Sequence, residues 1–253
     1  MDDYVYSHTI QTDYAEDLLT RPCMTEKGYD WAVPWRNLEA LQSESYNHIG
    51  LRLFNLGLAS QFGYHSAPNT DPSAVARMEV VRQHATIPAD EDAALTACLA
   101  EVRKTLPVLP LDAQNAANYS NDALDEARTS DVVVKAAADW RACMEPEGIA
   151  DLPANPDEMP TPGLSQQFGL VGDGEAESAI TAEEIRIATA DATCQESSGF
   201  KQALYDQEWS NQIAVMAANA DDLARIRDLL SENKKRVLDI IAQNAPDEPR
   251  EGR

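Results

Sequence analysis

An all-α fold is expected: a disulfide-stapled helical domain with a long C-terminal helix. Three observations carry that expectation. Strand-type alternation of apolar and polar residues is nearly absent from the 253 residues. Apolar residues recur instead at three- and four-residue spacing, in stretches that end at Gly or Pro, as in helices with one face in a core. Four cysteines (Cys23, Cys98, Cys143 and Cys194) lie far apart, and two of them share a local context.

Thr12–Arg21 places Tyr14, Leu18 and Leu19 on one side of a helix. Pro22 has no N–H for the carbonyl four residues earlier and is expected to interrupt or restart that helix, with Gly28 as its stop. Tyr29 to Trp35 reads as an aromatic loop. A helix is expected over Leu38–Asn47. Over Leu51–Phe62 a partial strand alternation competes with the helical stripe Leu51, Phe54, Leu58; helix is preferred, with Gly63 as its stop. Ser66–Ser73 carries two prolines and reads as a loop, with Asp71 or Ser73 as the cap of a helix over Ala74–Gln83. Pro88–Thr105 starts with Asp90, Glu91 and Asp92 and ends with Arg103 and Lys104, the charge order a helix dipole favours.

Asp112–Arg128 is the next helix, and Ser130 the cap of the one after it. Asp131–Met144 puts Val133, Ala137, Trp140 and Met144 on one face, and Pro146 ends it. The Pro/Gly-rich stretch 151–175 reads as a long irregular loop. Thr181-x-x-Glu184 is a capping box that opens a helix to about Glu196, with Gly199 beyond it. Phe200–Asn244 contains no Gly or Pro and reads as one long helix, or two joined near Asn219–Asp221. Forty residues of helix would run about 60 Å, so part is expected to project or to pair with another helix. The expected organisation is an N-terminal segment 1–22, one helical domain 23–246 and a flexible tail 247–253. The domain is built of two weakly related halves, about 23–110 and 111–246.

The charge balance excludes some functions. Twenty basic against 43 acidic residues give a net charge of -23, with no basic stripe to offset it. Such a chain repels phosphate backbones and anionic lipid, so neither nucleic acid nor a membrane surface is an expected partner. No run of about 18 apolar residues is present, so no membrane span is expected. Met1 to Tyr4 has neither the basic nor the apolar region of a secretory signal, a start compatible with a trimmed, mature N-terminus.

The cysteines say more. Cys23 to Gly28 and Cys143 to Gly148 both read C-M-x-x-x-G, each with an Arg (Arg21, Arg141) two residues earlier. This is a weak internal duplication, and each copy is followed by one further cysteine. Four cysteines allow three connectivities. The simplest is Cys23 with Cys98 and Cys143 with Cys194, one staple per half, each worth about 4 kcal/mol by the chain-entropy account. Four buried, reduced cysteines are the alternative. Disulfides imply an oxidising, extracytoplasmic compartment. No C-x-x-C is present, which counts against structural zinc or a thioredoxin-type pair.

Four short patterns stand together: C-M-x-x-x-G-Y (Cys23–Tyr29), F-x-x-G-x-x-x-x-x-G-Y-H (Phe54–His65), W-x-x-C-M-x-x-x-G (Trp140–Gly148) and A-x-x-D-A-x-C (Ala188–Cys194). Over most of residues 20–240 the set resembles an actinobacterial family of secreted or lipid-anchored proteins of unknown function. Phe54 stands where that pattern has Tyr, and Pro146 after the second cysteine is unusual. The resemblance implies an accessory role in the cell envelope, associated with ABC-type export systems, and carries over no catalytic residues.

Direct signs of chemistry are few. His8, His48, His65 and His84 lie in no catalytic or metal-binding motif. Met24 and Met144 beside cysteines are gap-filling side chains rather than soft-metal ligands. Gly172 to Glu177 opens like a dinucleotide loop but lacks its third Gly and is acidic. No catalytic residue, metal or cofactor is assigned. Tyr29, Trp31, Trp35, Tyr64 and His65 are ligand-binding candidates, a platform for a sugar or cell-wall fragment, with core packing as the competing role. Three readings follow: a non-enzymatic envelope protein that binds another protein or a second copy through its C-terminal helix, a small-ligand or cell-wall binder, and an enzyme without a signature.

Overall fold

The computed structural model describes residues 4, 9–38, 54–66, 72–83, 86–106, 115–170 and 179–249. The expectation of an all-α fold stapled by disulfides is met: the described residues form helices and no strands. Both staples connect as expected, Cys23 to Cys98 and Cys143 to Cys194, with Cα separations of 5.8 and 5.7 Å. The chain divides into two compact units that interleave along the sequence. Each unit holds one disulfide.

The first unit joins residues 44–68 to 118–219. Its elements are α2 (Leu56–Phe62), most of α5 (Asn115–Arg128), α6 (Asp131–Met144), α7 (Pro162–Gln167), α8 (Ala182–Ser197) and α9 (Phe200–Ala218). Helix α8 packs against α2, α6 and α9. Ile187, Ala188 and Ala192 of α8 meet Phe54, Ala59 and Tyr64, together with Leu164 and Phe168. Leu124, Ala127, Val133, Ala136 and Ala137 pack with Phe200 and Leu204. Trp140 and Met144 pack around Cys194. The gap-filling role expected of Met144 is the one seen.

The second unit joins residues 2–43, 69–117 and 220–253. It contains α1 (Thr9–Glu26), α3 (Pro72–Gln83), α4 (Ala89–Thr105) and α10 (Ala220–Asn244). Helix α1 packs on α4 and α10. Tyr14, Ala15 and Leu18 meet Val102, Leu106, Val237 and Ile241. Burial of a Leu or Ile side chain is worth about 1.5–3 kcal/mol, so Leu18, Leu106 and Ile241 each contribute on that scale. Arg103 grips Glu16 with two hydrogen bonds, of 2.7 and 2.9 Å, and Arg21 donates to the Asn244 carbonyl at 3.1 Å.

Several expectations are corrected. Pro22 neither stops nor restarts α1, which runs through it. A mid-helix proline costs about 3 kcal/mol. Here Cys23 is bonded to α4 and Met24 is fully buried, and this fixes the turn beyond the proline. The helix ends at Glu26, and Gly28 turns the chain away just beyond it, its φ of 92° accompanying a Tyr29 N–H to Met24 carbonyl bond of 3.1 Å. Ser73 is not a cap but lies inside α3, where its hydroxyl accepts from the Asn37 N–H at 2.9 Å. Ser130 holds the N-cap position of α6 without a side-chain cap; its hydroxyl donates to the Ala127 carbonyl instead.

The stretch 151–175 is not irregular throughout. It contains a 3₁₀ turn, Pro156–Glu158, and α7, capped by Thr161. Asp151 accepts from Gly163 N–H at 2.9 Å and Thr161 hydroxyl at 2.8 Å, and these donors hold its carboxyl below the usual range. Over Phe200–Asn244 the two-helix alternative is the observed one, broken at Asn219. The helix expected over Leu38–Asn47 lies outside the described residues except for Leu38, as do residues 51–53, 67–71, 84–85, 107–114 and 171–178.

Candidate functional site: a buried polar network and an uncharged helix face

Helix α8 turns two carboxylates inward. Glu184 and Asp191 are seven residues apart, two turns of one face, and both are 0% exposed. A buried carboxylate must be hydrogen-bonded or it is strongly destabilising. Gly63 ends α2 with a φ of 59° and brings the backbone so close that a Cβ there would collide with the Glu184 carboxylate. That approach lets the Tyr64 N–H donate to Glu184 Oε1 at 2.8 Å and sets His65 Nδ1 2.7 Å from the same oxygen. The other oxygen, Oε2, is buried without a hydrogen-bond partner. Only half of the expected capping box therefore forms. Thr181 accepts from the Glu184 N–H at 3.1 Å, but the Glu184 side chain serves the core instead of the helix start.

Asp191 accepts three bonds: from Tyr64 Oη at 3.1 Å, Trp140 Nε1 at 2.9 Å and Gln195 Nε2 at 2.8 Å. Phe54 stacks on Tyr64 with ring centroids 5.5 Å apart, and Lys201 Nζ sits 5.4 Å from the Phe54 ring centre. Burial lowers the Lys201 ammonium pKa, which the Asp191 charge partly restores. Three of the four sequence patterns thus converge in one network: Phe54, Tyr64 and His65 from the second, Trp140 from the third and Asp191 from the fourth. Glu184 is the member sequence reasoning assigned to a different task.

Burial pushes the Asp191 carboxyl above the ordinary aspartate value of about 3.9, against the pull of Gln195, Trp140, Tyr64 and Lys201. The folded chain therefore takes up this proton at a higher pH than the unfolded chain does. Its contribution to stability is fullest below about pH 3.9 and declines as pH rises through the window up to the raised folded value. Asp191→Asn removes the titration and keeps Oδ1 for Trp140 and Gln195, while the Tyr64 hydroxyl turns to accept from Nδ2. The unfolding free energy of wild type minus that of D191N is expected to grow in favour of wild type as pH falls from about 7 to 4. Urea denaturation across that range measures it, and a flat difference would refute the assignment.

The ligand-binding candidates divide. Tyr64 and His65 are buried members of the network in the first unit. Tyr29, Trp31 and Trp35 belong to the second unit and are half-buried, and Tyr29 Oη donates to Asp90 at 3.3 Å. Among the described residues no group of three or more His, Cys, Asp or Glu could hold a metal ion.

The other notable surface is on α9. Phe200, Leu204 and Gln212 face the interior, while Tyr205 (43% exposed), Trp209 (51%) and Ile213 (54%) follow one another at four-residue spacing on the outside. The Tyr205 and Trp209 rings stack at 6.2 Å. The other exposed side chains of α9 are Gln202, Asp206, Ser210, Ala214, Ala217 and Ala218, so Asp206 carries the face's single charge. Helix α10 is the contrast. Its apolar residues Leu223, Ile226, Leu230, Val237 and Ile241 are buried, and its exposed side carries many charges, Arg225, Arg227, Asp228, Glu232 and Lys234 among them. Of the stretch Phe200–Asn244, α9 thus carries an exposed apolar face, while α10 uses its apolar face internally. Sequence reasoning missed Tyr205 and Trp209: Asp206 and Glu208 stand beside them in sequence, and only the fold shows that Glu208 is buried and leaves them on a face with a single charge.

Comparison of the chain with protein-family models, curated proteins and solved structures returned no match. No helix among the described residues is long and apolar enough to cross a membrane. The two disulfides point to an oxidising, extracytoplasmic setting.

Proposed function

We propose that this chain is a non-enzymatic, extracytoplasmic accessory protein of the cell envelope that works by binding protein through the outer face of α9. The observation that carries this reading is the apolar stripe Tyr205, Trp209, Ile213, two of its three members aromatic, on a nearly uncharged face of a chain whose net charge is -23. Interface cores are enriched in Trp and Tyr and depleted of charge, while the ordinary solvated surface of so acidic a protein resembles that of α10. The disulfides support the compartment. The sequence patterns support membership among secreted or lipid-anchored envelope proteins and an association with ABC-type export. The buried network has a supporting part, since it fixes α2, α6 and α8, which pack with α9 into one unit.

A photo-crosslinking residue in place of Trp209, in cells that make the protein, tests the reading against the same residue in place of exposed Lys234 on α10. Adducts are expected from position 209 and not from 234, on chains whose four cysteines resist alkylation until reduced. No adduct at 209, or four thiols that react without reduction, would overturn it.

A further inference from the structure

The outer face of α9 has a shape as well as a composition. Tyr205, Trp209, Ile213 and Ala217 form one i, i+4 ridge, and Asp206, Ser210, Ala214 and Ala218 form the ridge beside it. The first is built largely of bulky side chains and the second of small ones. Helices pack by setting the ridge of one into the groove of the other, and in the commonest class both contribute i, i+4 rows. A two-fold contact brings the same patch of each copy together, residue i on j and j on i. A bulky ridge next to a shallow one is complementary to its own two-fold image.

Charge narrows the choice of occupant. Two copies at -23 each repel strongly, so they can meet only where little charge faces little charge. The α9 face meets that condition with Asp206 alone, whose carboxylate accepts from Gln202 Nε2 at 2.7 Å. A basic partner would find only Asp206 on this face to pair with, while most of the chain's 43 acidic side chains lie elsewhere. Resting on the reading of α9 as an interface, we propose that its occupant is α9 of a second copy, packed antiparallel about a two-fold axis near Trp209 and Ser210.

Nine exposed residues are fewer than the roughly 20–30 a side of a standard interface, so the dimer is a weak, concentration-dependent one. Long-range repulsion between the copies is screened by salt. Dimerisation therefore strengthens as ionic strength rises, the opposite of what attraction to a basic partner would give.

Analytical ultracentrifugation of the full chain from about 1 to 300 µM, at about 0.05 and 0.5 M NaCl, tests this. The expected weight-average mass climbs from 27.7 kDa towards twice that value, at lower protein concentration in the higher salt. Trp209→Glu and, independently, Ala214→Glu are expected to weaken association at least tenfold. Ala214 is exposed, so its variant should keep wild-type circular dichroism and melting temperature; Trp209 is half-exposed and stacked on Tyr205, so its variant should keep wild-type helicity. Val75→Glu, an exposed apolar site on α3, is expected to leave association unchanged. A wild-type chain at 27.7 kDa throughout, association that weakens with salt, or two α9 variants that associate as well as wild type would each overturn the proposal. The in-cell adduct at position 209 separates the two levels. An adduct to a different protein from a chain that is monomeric in vitro sinks the second copy and keeps the interface; no adduct of any mass sinks both.

Discussion

Trp140→Ala is expected to destabilise the first unit by about 5 kcal/mol. Replacing a fully buried Trp by Ala typically costs about 3–5 kcal/mol through lost transfer energy and the cavity left behind. Trp140 is 0% exposed and packs with Met144 and Cys194. It also donates to Asp191, and a buried carboxylate that loses one of three donors adds about 1–3 kcal/mol. Trp140→Phe separates the two contributions. It keeps most of the ring volume and removes the donor, and about 2 kcal/mol is expected. Urea denaturation followed by circular dichroism measures both. Equal losses for the two variants would mean that the hydrogen bond, not the ring, holds the site; no loss for Phe would mean the reverse.

Loss of the Cys143–Cys194 disulfide in a Cys143→Ala, Cys194→Ala double variant is expected to cost about 4 kcal/mol. The bridge spans 51 residues, and cross-linking a loop of that length removes about that much conformational free energy from the unfolded chain. It also joins α6 to α8 one turn from Trp140 and Asp191, so the network loosens with it. The 75-residue span of Cys23–Cys98 gives a similar figure by the same account. The comparison is made on oxidised chains, wild type against variant, by urea midpoint and slope. A loss under about 1 kcal/mol would mean that the unfolded ensemble is already compact and gains little freedom when the bridge is removed.

Local features of the fold were legible in the sequence because they are set by local chemistry. The charge order of α4, the limits of α6, and the stops at Gly28 and Gly63 depend on residues within a turn or two. The disulfide pairing was legible because the C-M-x-x-x-G context is repeated. Glu184 shows where such reading ends. Its spacing from Thr181 is that of a capping box, but its side chain answers to Tyr64 and His65, some 120 residues away in sequence. Asp191 stood in a recognised pattern, yet nothing local shows that Tyr64 and Trp140 converge on it. Pro22 is the opposite case: a strong local signal loses to a covalent bond and a buried Met beside it. On α9 apolar residues occur on both sides, so periodicity alone could not say that Leu204 is core while Tyr205 and Trp209 are surface.

The interleaving of the units has a consequence for synthesis. Helix α1 finds its partner α10 only at the far end of the chain; Arg21 and the Asn244 carbonyl are 223 residues apart. At roughly 5–20 residues per second, the ribosome needs about 10–45 s to supply the second after the first. Throughout that time Tyr14, Ala15 and Leu18 have no α10 to cover them, and the entropic cost of so long a closure falls late. The first unit draws on residues 44–68 and 118–219 and is complete sooner. Vectorial production of this chain therefore favours an order in which the first unit is complete before the second, whose N-terminal helix waits longest for the segment that covers it.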